Sequence, residues 1–386
     1  MKAQGKIIVC LFILLFGCSV GAQNDPQLID EKATYETKVL YQNLFRIAEK
    51  GLMFGHEDTD AYGIGWWAEE GKSDVKEVTG SYPAVHGWDL GNIDRAFNID
   101  TVEFNKMRDW IKATYQRGGI NTISWHIPNL MSGGNSWDTT PAVPAILPGG
   151  EKHEVFLERL NLVADFLESC KVGSVYVPII FRPWHEHNGS WFWWGRGNVS
   201  EKDYIALWRF TVDFLKNERG LHHIIYAFSP DRSRMDLADA KQSYLYAYPG
   251  DDYVDVLGLD NYWDVGHAHN KADSETQKKQ FVKSLQVLTE IAREKGKVAA
   301  LTETGSMGIK HPRWFTEVVL DPIKENKATI DIAWMLVWRN RFPEEAMAAF
   351  PGHPAAQDLV EFEKDDFTIF ESDLINIYKE NLPLLK

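Results

Sequence analysis

The densest run of chemically capable side chains is Phe181-Arg182-Pro183-Trp184-His185-Glu186-His187-Asn188-Gly189-Ser190-Trp191-Phe192-Trp193-Trp194-Gly195. A glutamate is most often a solvated loop acid, and among 55 acidic residues a carboxylate alone points nowhere. Here Glu186 is crowded by Arg182, Trp184, His185, His187, Asn188, Trp191 and further aromatics. A desolvated carboxyl beside aromatic rings has a raised pKa and stays protonated, which suits a general acid. Glu303, in Val298-Ala299-Ala300-Leu301-Thr302-Glu303-Thr304-Gly305-Ser306, ends an apolar run before small residues. That suits a side chain presented at a strand tip, although a plain edge cap has the same pattern. Two such groups, one protonated and one ionised about 5–5.5 Å apart, hydrolyse glycosidic bonds with retention.

Other chemistries lack their residues. His185 and His187 flank Glu186, but no HExxH spacing is present, and two residues on one loop make a weak ligand set, so no metal is expected. A metal-dependent barrel hydrolase is the reading that a chelator would test. No glycine-rich phosphate loop follows a strand and no GxSxG elbow occurs, so no cofactor is expected. Cys170 falls on an apolar helical stripe and is read as packing.

The elements that must position these groups alternate. Apolar or β-branched runs at 52–55, 83–88, 120–125, 174–181, 223–228, 254–259, 298–302 and 332–338 give eight candidate strands. Between them lie single apolar stripes at helical spacing: Phe104, Met107 and Ile111; Leu160, Val163, Leu167 and Cys170; Phe281, Leu285, Leu288 and Ala292. Nearly continuous apolar strands separated by amphipathic helices indicate an α/β fold whose parallel sheet closes into a (β/α)8 TIM barrel. Glu186 follows the fourth strand and Glu303 ends the seventh. Polar clusters end most of the others, so they should converge on the C-terminal face of the barrel. His56, His86 and Asp89 belong to such clusters and are held apart as less specific.

The ends and the composition bound the rest. Residues 1–22 have a basic start, an apolar run and then small residues, the layout of an export signal. Cleavage before Gln23 and lipoprotein cleavage before Cys18 both fit, so a periplasmic protein or an outer-membrane lipoprotein exported from a bacterial cell is expected. The remainder, 23–386, carries no linker or repeat and is expected to be one catalytic domain. No later stretch has the roughly 20 apolar residues of a transmembrane segment. A net charge of −14 argues against nucleic acid as a partner. The 15 tryptophans include Trp66-Trp67, Trp184, Trp191, Trp193-Trp194 and Trp263 among Gly, Asn, His and Asp, where loops are expected. Flat apolar faces beside hydrogen-bonding groups suit sugar rings.

These residues resemble glycoside hydrolase family 26, a family in the clan of retaining barrel glycosidases. Most of that clan has Asn before the acid/base, whereas this family has His, and this chain has His185-Glu186. The resemblance implies Glu186 as acid/base and Glu303 as nucleophile. It also implies His126 lining the cleavage site, His185 binding substrate, Trp191 near the leaving-group sugar and Asp260 as a substrate-binding acid. Tyr262 would hydrogen-bond the nucleophile, Trp338 would lie under the sugar attacked, and Arg339 would reach the next sugar out. The implied substrates are β-mannan and manno-oligosaccharides, with β-glucan or β-1,3-xylan as family alternatives and a catalytically silent glycan-binding protein as the alternative of another class. A monomer is expected. Whether cleavage is internal or releases mannobiose turns on the long stretch 128–150, which includes Trp137 and is either a wall or a mobile loop.

Overall fold

The computed structural model describes residues 27–374 and 376–380. The expected export signal, with Cys10 and Cys18, lies outside the described residues. Eight parallel strands of one sheet form the barrel: β1 (Leu52–Glu57), β2 (Val85–Asp89), β3 (Ile120–Ser124), β4 (Ile179–Arg182), β5 (Ile224–Phe228), β6 (Val256–Asn261), β7 (Val298–Thr304) and β8 (Trp334–Val337). Each pairs with the next in sequence, and β8 pairs back onto β1 with His56 opposite Val337, which closes the barrel. This is the expected (β/α)8 architecture.

The strands are buried along their whole length, which is why they appear in the sequence as apolar runs rather than as alternating patterns. Their outer faces meet helices such as Phe104–Arg117, His153–Ser169 and Ser274–Lys295, whose stripes Phe104, Met107 and Ile111, Leu160, Val163 and Leu167, and Phe281, Leu285, Leu288 and Ala292 are all buried. Cys170 caps the second of these and is buried. Helix Tyr35–Lys50 places Leu40, Tyr41, Leu44 and Ile47 in one cluster with Ile120, Ile180, Ile225, Val256 and Val298 from the N-terminal ends of the strands. It seals that end, and the opposite mouth is left for the cleft.

Two details depart from the sequence-based expectation. The run 174–181 is not one strand: Val175–Tyr176 pairs with Lys171–Val172 across a turn in which Gly173 has φ 61°, and only Ile179–Arg182 enters the barrel. Pro178 interrupts the run because it cannot donate to a ladder. β6 and β7 shift register between Gly258 and Asp260, so that Asp260 comes opposite Glu303. Such an irregularity re-aims side chains at a barrel rim.

Candidate active site

Glu186 is the third residue beyond Pro183 at the end of β4, on a turn that ordinary backbone preference disfavours. Trp184 has φ 54° and Glu186 φ 52°, both left-handed, at a strain of about 1–3 kcal/mol each. The residues around them hold this turn. The Trp184 indole is buried and donates to Thr211 Oγ1 at 3.1 Å, and Tyr204 donates to the Trp184 carbonyl at 2.9 Å. The Trp194 indole donates to the His185 carbonyl at 2.9 Å, and the Glu186 N–H donates to the Ser229 carbonyl at 2.8 Å. Asn188 and Asp231 exchange two hydrogen bonds of 2.7 Å. Trp184, Trp193 and Trp194 are therefore a buried scaffold, not the loop platforms expected of them, and Trp66 is also buried. Of the tryptophans singled out, Trp191 and Trp263 line the cleft.

The Trp191 indole donates to Glu186 Oε2 at 2.7 Å. It lies so close to the backbone of Gly189 that a Cβ there would stand 2.3 Å from the ring. No cation pairs with Glu186 among the described salt bridges. Burial, with Asp231, Glu303 and Asp260 adding repulsion, raises its pKa well above the usual carboxylate range. Asp231 beside it is itself pushed up to about 6 by burial.

Glu303 sits inside β7 in the opposite setting. One carboxylate oxygen accepts from the Arg182 guanidinium and the other from the Tyr262 hydroxyl at 2.8 Å. Arg182, the last residue of β4, also donates to Asp260 at 2.9 Å, and Asp260 accepts further from Ser229 and Thr302. Against the pull of burial, Asp260 and Glu303 hold Arg182 firmly protonated. One carboxylate oxygen from each of Glu186, Asp260 and Glu303 lies within 4.8 Å of the others. The guanidinium bridging Asp260 and Glu303 supplies the positive charge that such a cluster needs. Tyr262, its pKa raised by burial and by Glu303, remains a donor.

A third group approaches from β3. His126 pairs through Nδ1 with Asp89 Oδ2 at 2.7 Å, and its Nε2 lies 3.1 Å from Nε2 of His185. Burial opposes a charge on His126, but Asp89 outweighs it and raises the pKa. Burial, then Arg182 and His126, lower that of His185 well below the ordinary value. The proton between the rings therefore belongs to His126, and His185 accepts it.

His126, His185, Glu186, Trp191, Asp231, Tyr262 and Glu303 line a cleft of about 830 Å³ at the C-terminal mouth, together with Asp100, Trp137, Trp263, Trp338 and Arg339. Arg339 pairs with Asp100 at 2.8 Å at one end. Residues 128–150 hold themselves together: Asn129 donates to the carbonyls of Asp138 and Thr140 and accepts from the N–H groups of Met131 and Ser132. Trp137 from this stretch stacks on His126 with centroids 5.5 Å apart, so the stretch is a wall of the cleft.

The sequence model of Glycosyl hydrolase family 26 matches residues 29–336. The chain belongs to this family. It is 34% identical over 347 residues to a mannan endo-1,4-β-mannosidase of Bifidobacterium adolescentis, a match that covers 84% of this chain and 33% of that protein. It is 31% identical to one of Bacillus subtilis, over 52% of this chain and 56% of the relative. The matches thus span about a third to a half of these curated relatives. Among solved structures, a GH26 β-mannanase from Bacteroides ovatus superposes with a TM-score of 0.83 at 40% identity, covering 90% of this chain and 98% of that one. The modular endo-β-1,4-mannanase from Cellulomonas fimi gives 0.83 at 34% identity, over 93% and 80%.

Within this family 26 fold, His126, His185, Glu186, Trp191, Tyr262, Glu303, Trp338 and Arg339 meet in one cleft. Asp260 does not line it: the side chain is fully buried and occupied by Arg182, Ser229 and Thr302. Of the residues held apart, His56 and His86 are buried away from the cleft, and Asp89 supports His126 from beneath. The reading by sequence assigned no role to Arg182, whose signal was a cation at the end of an otherwise apolar strand. It also missed Asp231, at the end of Ser229-Pro230-Asp231, and Asp100, for which no signal existed.

Proposed function

We propose that this chain is a mannan endo-1,4-β-mannosidase that works with retention of configuration. The observation that carries this reading is the approach of Glu186 and Glu303 oxygens within 4.8 Å. Retaining enzymes hold their carboxyl groups about 5–5.5 Å apart, and inverting ones need about 6.5–9.5 Å for an intervening water. The mannan specificity rests on the relatives, which bear that name at 31–34% identity.

Glu303 attacks the anomeric carbon as its bond to the glycosidic oxygen breaks, and Glu186 gives its proton to that oxygen. The leaving chain departs with the proton, and the sugar remains bonded to Glu303. Glu186, now ionised, takes a proton from water as the water oxygen attacks the same carbon and displaces Glu303. Two displacements at one carbon return the original configuration. Tyr262 and Arg182 hold the nucleophile in place, and Asp260 acts on it through Arg182. The Trp338 indole lies under the attacked sugar, where its face stabilises positive charge. Arg339, fixed by Asp100, reaches the next sugar out, and the His126–His185 pair lines the cleavage point.

Residues 23–386 are taken as one catalytic domain behind an export leader. The test is hydrolysis of mannan and mannohexaose followed by proton NMR and by product sizes over time. The first-formed anomer is expected to be β, with mannobiose accumulating from chain ends if the wall formed by 128–150 and the Arg339–Asp100 pair shortens the glycone side. Early α-anomer contradicts the mechanism, and no shorter product from mannan or mannohexaose contradicts the function.

A further inference from the structure

The cleft is also lined by the loop that follows β6, whose residues after Tyr262 the chemistry above does not use. Trp263, His267 and His269 all line it there. Their rings form a row, with centroids 5.3 Å apart at 33° between Trp263 and His267, and 5.5 Å apart at 47° between His267 and His269. Trp263 and His267 are half-buried and His269 is exposed, so the row keeps open faces.

The loop is built to hold that row. The Asn270 side chain donates to the Trp263 carbonyl at 2.9 Å, and its N–H donates to the His267 carbonyl at 2.9 Å. The Trp314 indole donates to the Val265 carbonyl at 2.8 Å, and Gly266 turns the chain with φ 109°. A surface preorganised in this way loses little freedom on binding. Burial, then His269, lower the pKa of His267, so its ring is uncharged at neutral pH and presents an apolar face.

The side of the cleft follows from the reaction. Glu186, on the turn after β4, protonates the departing oxygen, so the leaving part of the chain lies toward the loops after β4, β5 and β6. Trp338, Arg339 and Asp100, from the loops after β8 and β2, mark the other end. We propose that Trp263, His267 and His269 form a second aromatic platform that binds the leaving portion of a β-1,4-linked hexopyranose chain beyond the sugar at Trp191. This inference rests on the glycosidase reading above.

Kinetics of the full chain on mannopentaose and on an aryl β-mannobioside, whose leaving group is not a sugar, test it. Trp263→Ala is expected to lower kcat/KM on mannopentaose roughly tenfold. Its loss on the aryl substrate should be several times smaller. Trp263→Phe, which keeps a ring, should recover most of the loss, and His267→Ala should repeat the pattern more weakly. Cleavage of mannopentaose in ¹⁸O-water should shift toward bonds nearer the reducing end. Equal losses on both substrates, or none, overturn the platform while leaving the glycosidase reading intact. A wild-type chain inactive on both overturns that reading, and the platform falls with it.

Discussion

Glu186 and Glu303 are the same side chain in the same cleft, within 4.8 Å of each other, and the fold treats them in opposite ways. Around Glu303 stand a guanidinium and a phenol, both donating, with Asp260 holding the guanidinium from behind. Around Glu186 stand one indole N–H and a second acid, Asp231, which is itself pushed up to about 6. One half of the site supplies counter-charge and the other withholds it. Which carboxylate attacks and which donates a proton is therefore written in their neighbours, not in the residue type.

The contrast can be broken first at the carboxylates. Glu303→Ala is expected to lower kcat on mannan at least about 10⁴-fold whatever the leaving group. Glu186→Ala should cost about 10²–10⁴-fold on mannan, and much less in forming the glycosyl-enzyme from a dinitrophenyl mannobioside, whose leaving group needs no proton. Azide should recover turnover of that substrate and yield a β-glycosyl azide. Equal behaviour of the two variants would reverse or abolish the assignment.

Stability sharpens the same comparison. Arg182→Met leaves Asp260 and Glu303 buried without their cation, and breaking a buried pair costs about 3–5 kcal/mol. Urea unfolding should show that loss, and an unchanged midpoint would mean that the charge holds little together.

The smallest effect concerns pH. The pKa of Glu186 is raised in the folded chain, so as pH climbs past the ordinary value of 4.5 the unfolded chain sheds this proton first. The folded state keeps it, and stability falls with pH across that interval. Glu186→Gln removes the penalty. Its melting temperature should exceed that of the wild type at pH 7, and the gain should disappear below pH 4.5. A gain that grows toward acid pH would mean that Glu186 is ionised in the fold.

The barrel was legible because strands buried on both faces leave continuous apolar runs, and because each polar rim interrupts its run at a predictable place. Glu186 was legible for a related reason, since a strained turn needs many expensive side chains to hold it. The same signal misled about Trp184, Trp193 and Trp194, which pack against the turn from beneath. Asp260 was legible but its burial was not, because burial depends on partners such as Ser229 and Thr302 from other parts of the barrel.

What the sequence determined alone was local: the period of each element, the ends of the strands and the crowding around Glu186. The approach of Glu186 to Glu303 within 4.8 Å, the Arg182 bridge and the Asp89–His126–His185 chain were decided only when the sheet closed. Each joins residues from different strands, and the register shift that sets Asp260 opposite Glu303 is a property of two strands together. Spacing along one chain carries no record of distances between strands. The charge on a carboxyl depends on those distances.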